Sequence, residues 1–534
     1  MKKKLRIALS LLMVLVMVLG LAACGAKEEP APAGSEAEEA AAPAESTEKV
    51  LRIGELWDIT TIDPVSDGTL MKEKASVGEC LVEVDTHFGL REGLATKWEN
   101  PEPNTWVFTL REGVEFSNGE PMNAEAVVWS LNNAFEQNPT HTTKTNIEKI
   151  EATGDYEITV TTTSPNAEIP EYFHTAGLCI IHPDSYNENG EMGLPIGTGP
   201  FKVESFDAST GVLTLVKNEN YWGDEPALDK VVLTGMSDSS TRALALESDQ
   251  IDFTCDLPFN EIDRLDALDN VYVESYDTAR VYSGFFNCAD PKFADKDVRH
   301  AVSLAMDRET ISKEVLFGAG TPAKNMFNEN MAWNNTDVDG SKFDQAEALA
   351  LLEKAGWKDT DGDGILDKDG EQFAFTIYTY PERPGLPLIA EALQAMLGEI
   401  GMKVEVVTQA SGTFSKEVLG TNTEWGLYLA GMATCMVPSC YNFLDNNYST
   451  ANTAKYGYEN PAFDELITKA KAEFDTEARY EISREIQALA EEELNVVYIC
   501  NYGVSYGFSN RVSNFVFNPT AHDYEWNTDI SIAD

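Results

Sequence analysis

The chain has 534 residues, 43% of them hydrophobic, and sets 89 acidic residues against 39 Lys and Arg, a formal charge of -50 at pH 7. That balance argues against binding nucleic acid or an anionic membrane through the general surface. The length exceeds what one ordinary hydrophobic core holds, so two or three lobes are expected.

Lys2, Lys3, Lys4 and Arg6 form a basic start, and Ile7 to Ala23 is apolar apart from Ser10. The run is short for a membrane span of about 20 residues and has the shape of a secretory signal peptide over residues 1–23. Leu21-Ala22-Ala23-Cys24 resembles a bacterial lipobox, which implies cleavage before Cys24 and a lipid on that residue. Losing the four basic and no acidic residues takes the exported chain from -50 to -54. Residues 24–48 hold Pro, Ala, Ser and Glu with no aromatic residue. Such a segment cannot bury enough surface to offset its ordering entropy and reads as a disordered acidic linker. No later segment approaches a second span. The body is therefore expected to be extracytoplasmic and held to the cell membrane through the Cys24 lipid.

Beyond the linker, LRIGELWDITTIDP reads as a strand that Asp63-Pro64 ends. TWVFTL is a strand, NGEP a turn, and Asn123 a cap for a helix whose apolar stripe is Val127, Val128, Leu131 and Phe135. DYEITVTTTS adds a β-branched strand, so a small α+β unit is expected near 83–192. FKVESF with GVLTLVKN reads as a hairpin and DKVVLTGM as a further strand; SDSSTRALALESDQIDF reads as helix, turn and strand. Residues 297–316 read as one helix with Val298, Ala301, Leu304 and Ala305 on one side. Helix 387–400 carries Pro387 in its first turn and meets Gly401 at its end, and MKVEVVT resumes a strand. Long helical stretches fill 461–494, and NVVYICNYGVSYGF returns to strand. The alternation fits an α/β body on a mixed sheet.

Chemistry-bearing motifs are few. There is no G-x-G-x-x-G after a strand, no P-loop and no G-x-S-x-G elbow. GTGPF lacks the lysine and glycine spacing of a phosphate loop and reads as a tight turn. The six histidines are scattered and no CxxC occurs, so nothing indicates a zinc site. The eight cysteines leave an odd number once Cys24 is lipidated, and most are expected to be small buried hydrophobes; Cys435 and Cys440 are spaced to allow a disulfide. WKDTDGDGILDKDG places Asp359, Asp361 and Asp363 at alternate positions before Gly364, like the opening of a calcium loop. Position twelve is Gly370 instead of glutamate, so turn propensity accounts for the pattern as well as calcium does. No cofactor is required by anything in the chain, and Ca2+ on these aspartates is the one metal to weigh.

Five ordered blocks carry a resemblance. They are LATKWENPEPNTWVFTLREGVEFSNGEPMNAEAVVWSLNNAF, GTGPFKVESF with LVKNENYWGDEPALDKVVL, DVRHAVSLAMDRETISKEVLFGAGTPA, FDQAEALALLEKAGWKDTDGDGILDKDG and GYENPAFDELITKA. Together they resemble the family 5 solute-binding proteins of ABC importers, the oligopeptide, dipeptide and nickel-binding group. The resemblance implies an α/β fold, a two-lobed periplasmic-binding-protein-like clamp (type II, class C-like) with an additional α+β domain. By analogy lobe I takes 49–82, 193–291 and 496–534, the additional domain 83–192, and lobe II 292–495. It implies a receptor, not an enzyme, that captures a small solute such as a short peptide and hands it to an ABC permease driven by its ATPase subunits. Oligosaccharide or metal chelate in the same clamp, and a secreted hydrolase, are the alternatives.

In peptide binders of that family an aspartate close before a proline pairs with the peptide amino group. Pro438 matches the proline, so Cys435 and Val437 fall on the aspartate positions, and a neutral thiol cannot replace a carboxylate there. Asp58 is the candidate replacement and Arg280 the candidate partner for an acidic ligand group. Trp57, Tyr282, Phe285 and Trp425 are the aromatics expected near the cleft; for each, a place in the core is the alternative.

Overall fold

The structure is a computed structural model. It describes residues 48–329, 331–419, 425–434, 437–526 and 528–533. The signal peptide, Cys24, nearly all of the linker and Cys435 lie outside the described residues.

The first strand, β1, is Val50–Glu55. A four-stranded antiparallel sheet follows, from β2 (Ala95–Glu102), β3 (Thr105–Leu110), β4 (Ile147–Gly154) and β5 (Glu157–Thr162), in the order β2-β3-β5-β4. Helix α1 (Ala124–Gln137) lies between β3 and β4; Asn123 caps it by accepting from the Ala126 amide at 3.0 Å. Its buried face is Ala124, Val127, Ser130, Leu131 and Ala134, with Val128 and Phe135 half-buried at the margins. These elements enclose a core of their own around Phe108, Leu131, Val160 and Phe173.

The rest of the body is organised by a ten-stranded mixed sheet. Its strands are β1, β6 (Phe201–Asp207), β7 (Val212–Lys217), β8 (Lys230–Gly235), β9 (Phe253–Cys255), β10 (Val271–Phe286), β11 (Ala374–Thr379), β12 (Lys403–Thr408), β13 (Trp425–Ala433) and β14 (Val496–Ser509). The order is β12-β11-β13-β10-β14-β9-β1-β8-β7-β6. Two long strands, β10 and β14, pair antiparallel in the middle. One half of the sheet, built on β1, extends from β14; the other, built on β11 and β13, extends from β10. A single core cluster runs along both halves.

Local sequence explains most helices. Between β8 and β9, α2 (Ser239–Glu247) is capped by Asp238. The region 297–316 is a correction. Helix α3 (Lys296–Leu304) stops, and a separate turn starts at Arg308. Asp307 accepts from both the amide and hydroxyl of Thr310, offering the backbone a cap in place of helix continuation. The guanidinium of Arg308 folds back, buried, onto the carbonyls of Ser303 and Tyr498. Helix α4 (Gly385–Glu399) leads through Gly401, at φ +84°, into β12. Helices α5 (Pro461–Lys471) and α6 (Thr476–Glu493) fill the stretch before β14. The cysteines at 80, 179, 255, 288, 440 and 500 are buried free thiols.

Candidate functional site

In the connection after β1 the chain makes a π-helical turn, Leu70–Lys74, whose five residues are all buried. Wide turns of this kind are often found at functional sites. Three consecutive charges leave it in different directions. Lys72 reaches Glu83 at 3.1 Å, Glu73 accepts the His522 amide at 2.8 Å, and Lys74 lies 2.6 Å from Glu55 and 3.0 Å from Asp523.

Asp523 is the centre of the resulting network. One oxygen faces Arg280 at 3.0 Å and accepts from Arg383 at 2.9 Å. The other takes the Trp57 indole N–H at 3.0 Å, beside Lys74 and the His522 ring. Burial alone would raise the Asp523 carboxyl, but His522, Lys74, Arg383 and Arg280 hold it well below the usual range. Arg383 also donates to Asp256 at 2.8 Å, and Asp256 accepts the Tyr502 hydroxyl at 2.6 Å. Glu55, Asp256 and Asp523 are thus balanced by Lys74, Arg280 and Arg383, which is the condition for burying so many charges. Nη1 of Arg280 has no hydrogen-bond partner among the described residues.

A cavity of about 290 Å3 lies against this network. Three separate parts of the molecule wall it: the turn with Glu73, the four-stranded unit with His141, Lys144 and His174, and the segment after β13 with Val437 and Asn446. Ala279, next to Arg280, and His522, next to Asp523, complete it. Burial pushes the Glu73 carboxyl up to about 7 despite Lys72. Burial and Lys144 push His141 down to about 4, and burial lowers His522, so both imidazoles are neutral at pH 7. His141 faces the Tyr172 hydroxyl at 2.9 Å, and Lys144 donates to Asn446 at 2.7 Å. The wall therefore offers one acid, one base and neutral imidazoles around a small space.

The residues singled out from sequence divide. Trp57 and Arg280 belong to the Asp523 network, and the Trp57 ring carries the Arg383 guanidinium at 5.4 Å. Asp58 is exposed and outside the cavity wall; Glu73 is the carboxylate that lines it. Tyr282 packs on Tyr502 at 4.7 Å, Phe285 on Tyr456 at 5.1 Å and Trp425 on Phe414 at 5.1 Å, each buried. Cys435 lies outside the described residues, but Val437 faces the cavity. Asp359, Asp361 and Asp363 bring oxygens within 4.8 Å of one another on an exposed loop. Asp359 accepts the amides of Gly362 and Gly364, Asp361 that of Asp363, and Asp363 that of Ile365, so each carboxylate shapes the turn.

Sequence reasoning missed Glu73, Lys144, Arg383, Asp523 and the histidines. His141, His174 and His522 are far apart in the chain yet line one cavity. No local sequence signal marks them: Lys72, Glu73 and Lys74 read as ordinary charges, and the burial that demands partners of both signs is tertiary.

Three comparisons bear on this arrangement. The family model described as "Bacterial extracellular solute-binding proteins, family 5 Middle" matches residues 89–455. The nickel-binding periplasmic protein of Escherichia coli K12 is 26% identical over 508 residues, covering 87% of this chain and 93% of that protein. The oligopeptide-binding protein AppA of Bacillus subtilis 168 is 28% identical over 398 residues, covering 71% and 72%. Among solved structures, NikA from Staphylococcus aureus in complex with Ni(L-His)2 superposes with a TM-score of 0.76 at 22% identity, over 91% of this chain and all of that one. The fold is thus the two-lobed clamp.

Proposed function

The chain belongs to the bacterial extracellular solute-binding proteins of family 5, and from that premise we propose that it captures short peptides in the 290 Å3 cavity and presents them to an ABC permease. The observation that carries this reading is Glu73 and Lys144 on one cavity wall. An acid and a base facing one small space suit a zwitterion, the amino end at Glu73 and the carboxylate at Lys144. The volume suits a solute of a few residues at most. Glu73 supplies the negative charge that Val437 does not. Ligand closes such a clamp only through contacts better made in the closed state.

A titration of the full chain with di- to pentapeptides tests this, read as a rise in melting temperature by mass action. Glu73→Gln is expected to weaken peptides with a free amino end by about tenfold, the loss of one charge-assisted hydrogen bond. N-acetylated peptides should bind the variant and the parent alike. No shift from any peptide would overturn the reading. A second reading is favoured by the imidazoles of His141, His174 and His522 on the same wall: a metal chelate as solute. A melting shift from nickel–histidine complexes in the absence of any peptide response would select it.

The same reading places the protein outside the cytoplasm. Among the described residues no helix is long and apolar enough to cross a membrane. The basic start, the apolar run and Leu21-Ala22-Ala23-Cys24 support removal of residues 1–23 and a lipid on Cys24. Intact-mass measurement of membrane-extracted protein should show a diacylglycerol adduct there; an unmodified Cys24 would exclude it. No step of catalysis is assigned to the chain, and peptide turnover by the pure protein would count against a receptor.

A further inference from the structure

The cleft is not the largest cavity. A second one, about 520 Å3, opens between residues 72–93 and 516–528, with Pro200, Tyr221 and Trp222 beside them. No described residue between 223 and 515 lines it, so among the described residues the half of the sheet built on β11 and β13 takes no part. Among the described residues it shares no lining residue with the 290 Å3 cavity.

Its wall is acidic and aromatic. Glu79, Glu83, Asp85, Glu92 and Glu525 line it with Lys72 and Arg91 as the cations among the described lining residues, and Arg111 reaches Glu92 at 3.4 Å. Lys72 is already committed, 3.1 Å from Glu83 and 3.9 Å from Glu525. Arg91 donates its Nε to the Val84 carbonyl at 2.9 Å. Five carboxylates set against Lys72, Arg91 and Arg111 leave the wall with an excess of acidic groups. Tyr221, Trp222, Phe517 and Trp526 supply apolar and π surface.

Two residues give the cavity its chemistry. Trp222 stays 37% exposed, and its indole N–H is fixed on Glu79 Oε2 at 2.9 Å. The same oxygen accepts the Thr198 hydroxyl at 2.7 Å, and no described residue donates to Oε1. The Trp222 ring already holds one organic cation, the Arg111 guanidinium, at 4.4 Å. Arg111 covers part of the ring, and the remainder stays open to water beside the carboxylate, leaving π surface for a second cation. Among the described residues only Asp359, Asp361 and Asp363 gather at metal-ligand spacing, so these carboxylates do not form a metal cage.

We propose that this cavity is a second binding site, independent of the cleft, that takes an organic ammonium ion between Glu79 and the Trp222 wall. Burial raises the Glu79 carboxyl to about 7, and an arriving ammonium would draw it back to the charged form.

Calorimetric titration of the full chain with choline, and with its uncharged isostere 3,3-dimethylbutan-1-ol, reads the charge dependence directly. Choline is expected to bind at least about tenfold more tightly than the isostere, a cation–π and charge contribution of ordinary size. Glu79→Gln and Trp222→Leu should each weaken choline by about tenfold, and Lys144→Gln, on the other cavity's wall, should leave it unchanged. Trp222→Leu sits at a partly exposed position, so it decides the matter if Glu79→Gln does not fold. Equal binding of choline and the isostere, no binding of either, or loss of choline through Lys144→Gln would each overturn the site. Because the last variant reports on the cleft, failure here leaves the receptor reading standing.

Discussion

Arg383 shows how one side chain couples distant segments. It comes from the turn between β11 and α4, and its two Nη atoms hold Asp256 and Asp523, which lie 127 and 140 residues away. Both carboxylates are buried and would be left short of positive charge without it. Removing one partner of a buried ion pair costs about 3–5 kcal/mol, so Arg383→Ala should lower the chemical-denaturation midpoint sharply. Arg383→Lys should recover only part of the loss, because one compact ammonium cannot repeat a fork that reaches two carboxylates. A midpoint unchanged by Arg383→Ala would show that the network is not needed for stability. The family resemblance pointed to Trp57 and Arg280 as ligand contacts, and the structure places both on Asp523 and not on the cavity wall; Arg383, Asp523 and Glu73 had no such pointer. Their importance comes from one another, and pairs separated by more than a hundred residues leave no periodic trace.

At the scale of elements, local pattern was a good guide. The Asn123 cap, the β6–β7 hairpin and the α4–Gly401–β12 passage all lie where composition and periodicity indicated. The single helix expected over 297–316 is broken because Asp307 caps a new turn and Arg308 anchors to β14, a tertiary contact. GTGPF also has a tertiary cause. A Cβ on Gly197 would stand 2.0 Å from the Val77 carbonyl oxygen, and one on Gly199 2.3 Å from that of Ser76. Neither glycine needs a left-handed backbone; both let one chain segment pass close to another. Gly197→Ala must therefore move backbone, and the soluble folded yield is expected to fall. Gly398, inside α4, has nothing within 4 Å of an added Cβ. Gly398→Ala should instead stabilise by about 0.5–1 kcal/mol. Thermal melts of the two variants should move in opposite directions; a shared direction would refute the packing account.

For the whole molecule, buried carboxyls set the response to pH. Burial pushes Glu73, Glu79 and Glu491 each up to about 7. Their folded forms hold a proton that the unfolded chain releases above about pH 4.5, so their stability contribution is lost as pH rises through 7. A tenfold change in proton affinity corresponds to about 1.4 kcal/mol. The opposite sign belongs to Asp523 and Glu83, whose lowered carboxyls stabilise at neutral pH and lose that contribution in acid. His141, pushed down to about 4, also destabilises the fold as pH falls below about 6.5. Between pH 8 and pH 6.5 the raised carboxyls dominate, and the melting temperature is expected to rise as pH falls across that window. Replacing Glu73, Glu79 and Glu491 together by Gln should flatten the profile. A melting temperature that falls from pH 8 to pH 6.5 would contradict these proton affinities.

The amino-acid sequence by itself determined the basic start and apolar run, the acidic composition that follows, the alternation of strand and helix, and the membership of a solute-binding family. Each of these is written in short windows: apolar run length, periodicity, turn residues and ordered blocks. Only the tertiary structure decided which aromatics are core and which groups face the cavity. Tyr282, Phe285 and Trp425 are packed on other rings, and Glu73, Lys144 and three distant histidines share one wall. The physical reason is that burial and charge pairing depend on segments hundreds of residues apart. A carboxylate such as Glu73 acquires its proton affinity and its place from the environment that folding builds around it.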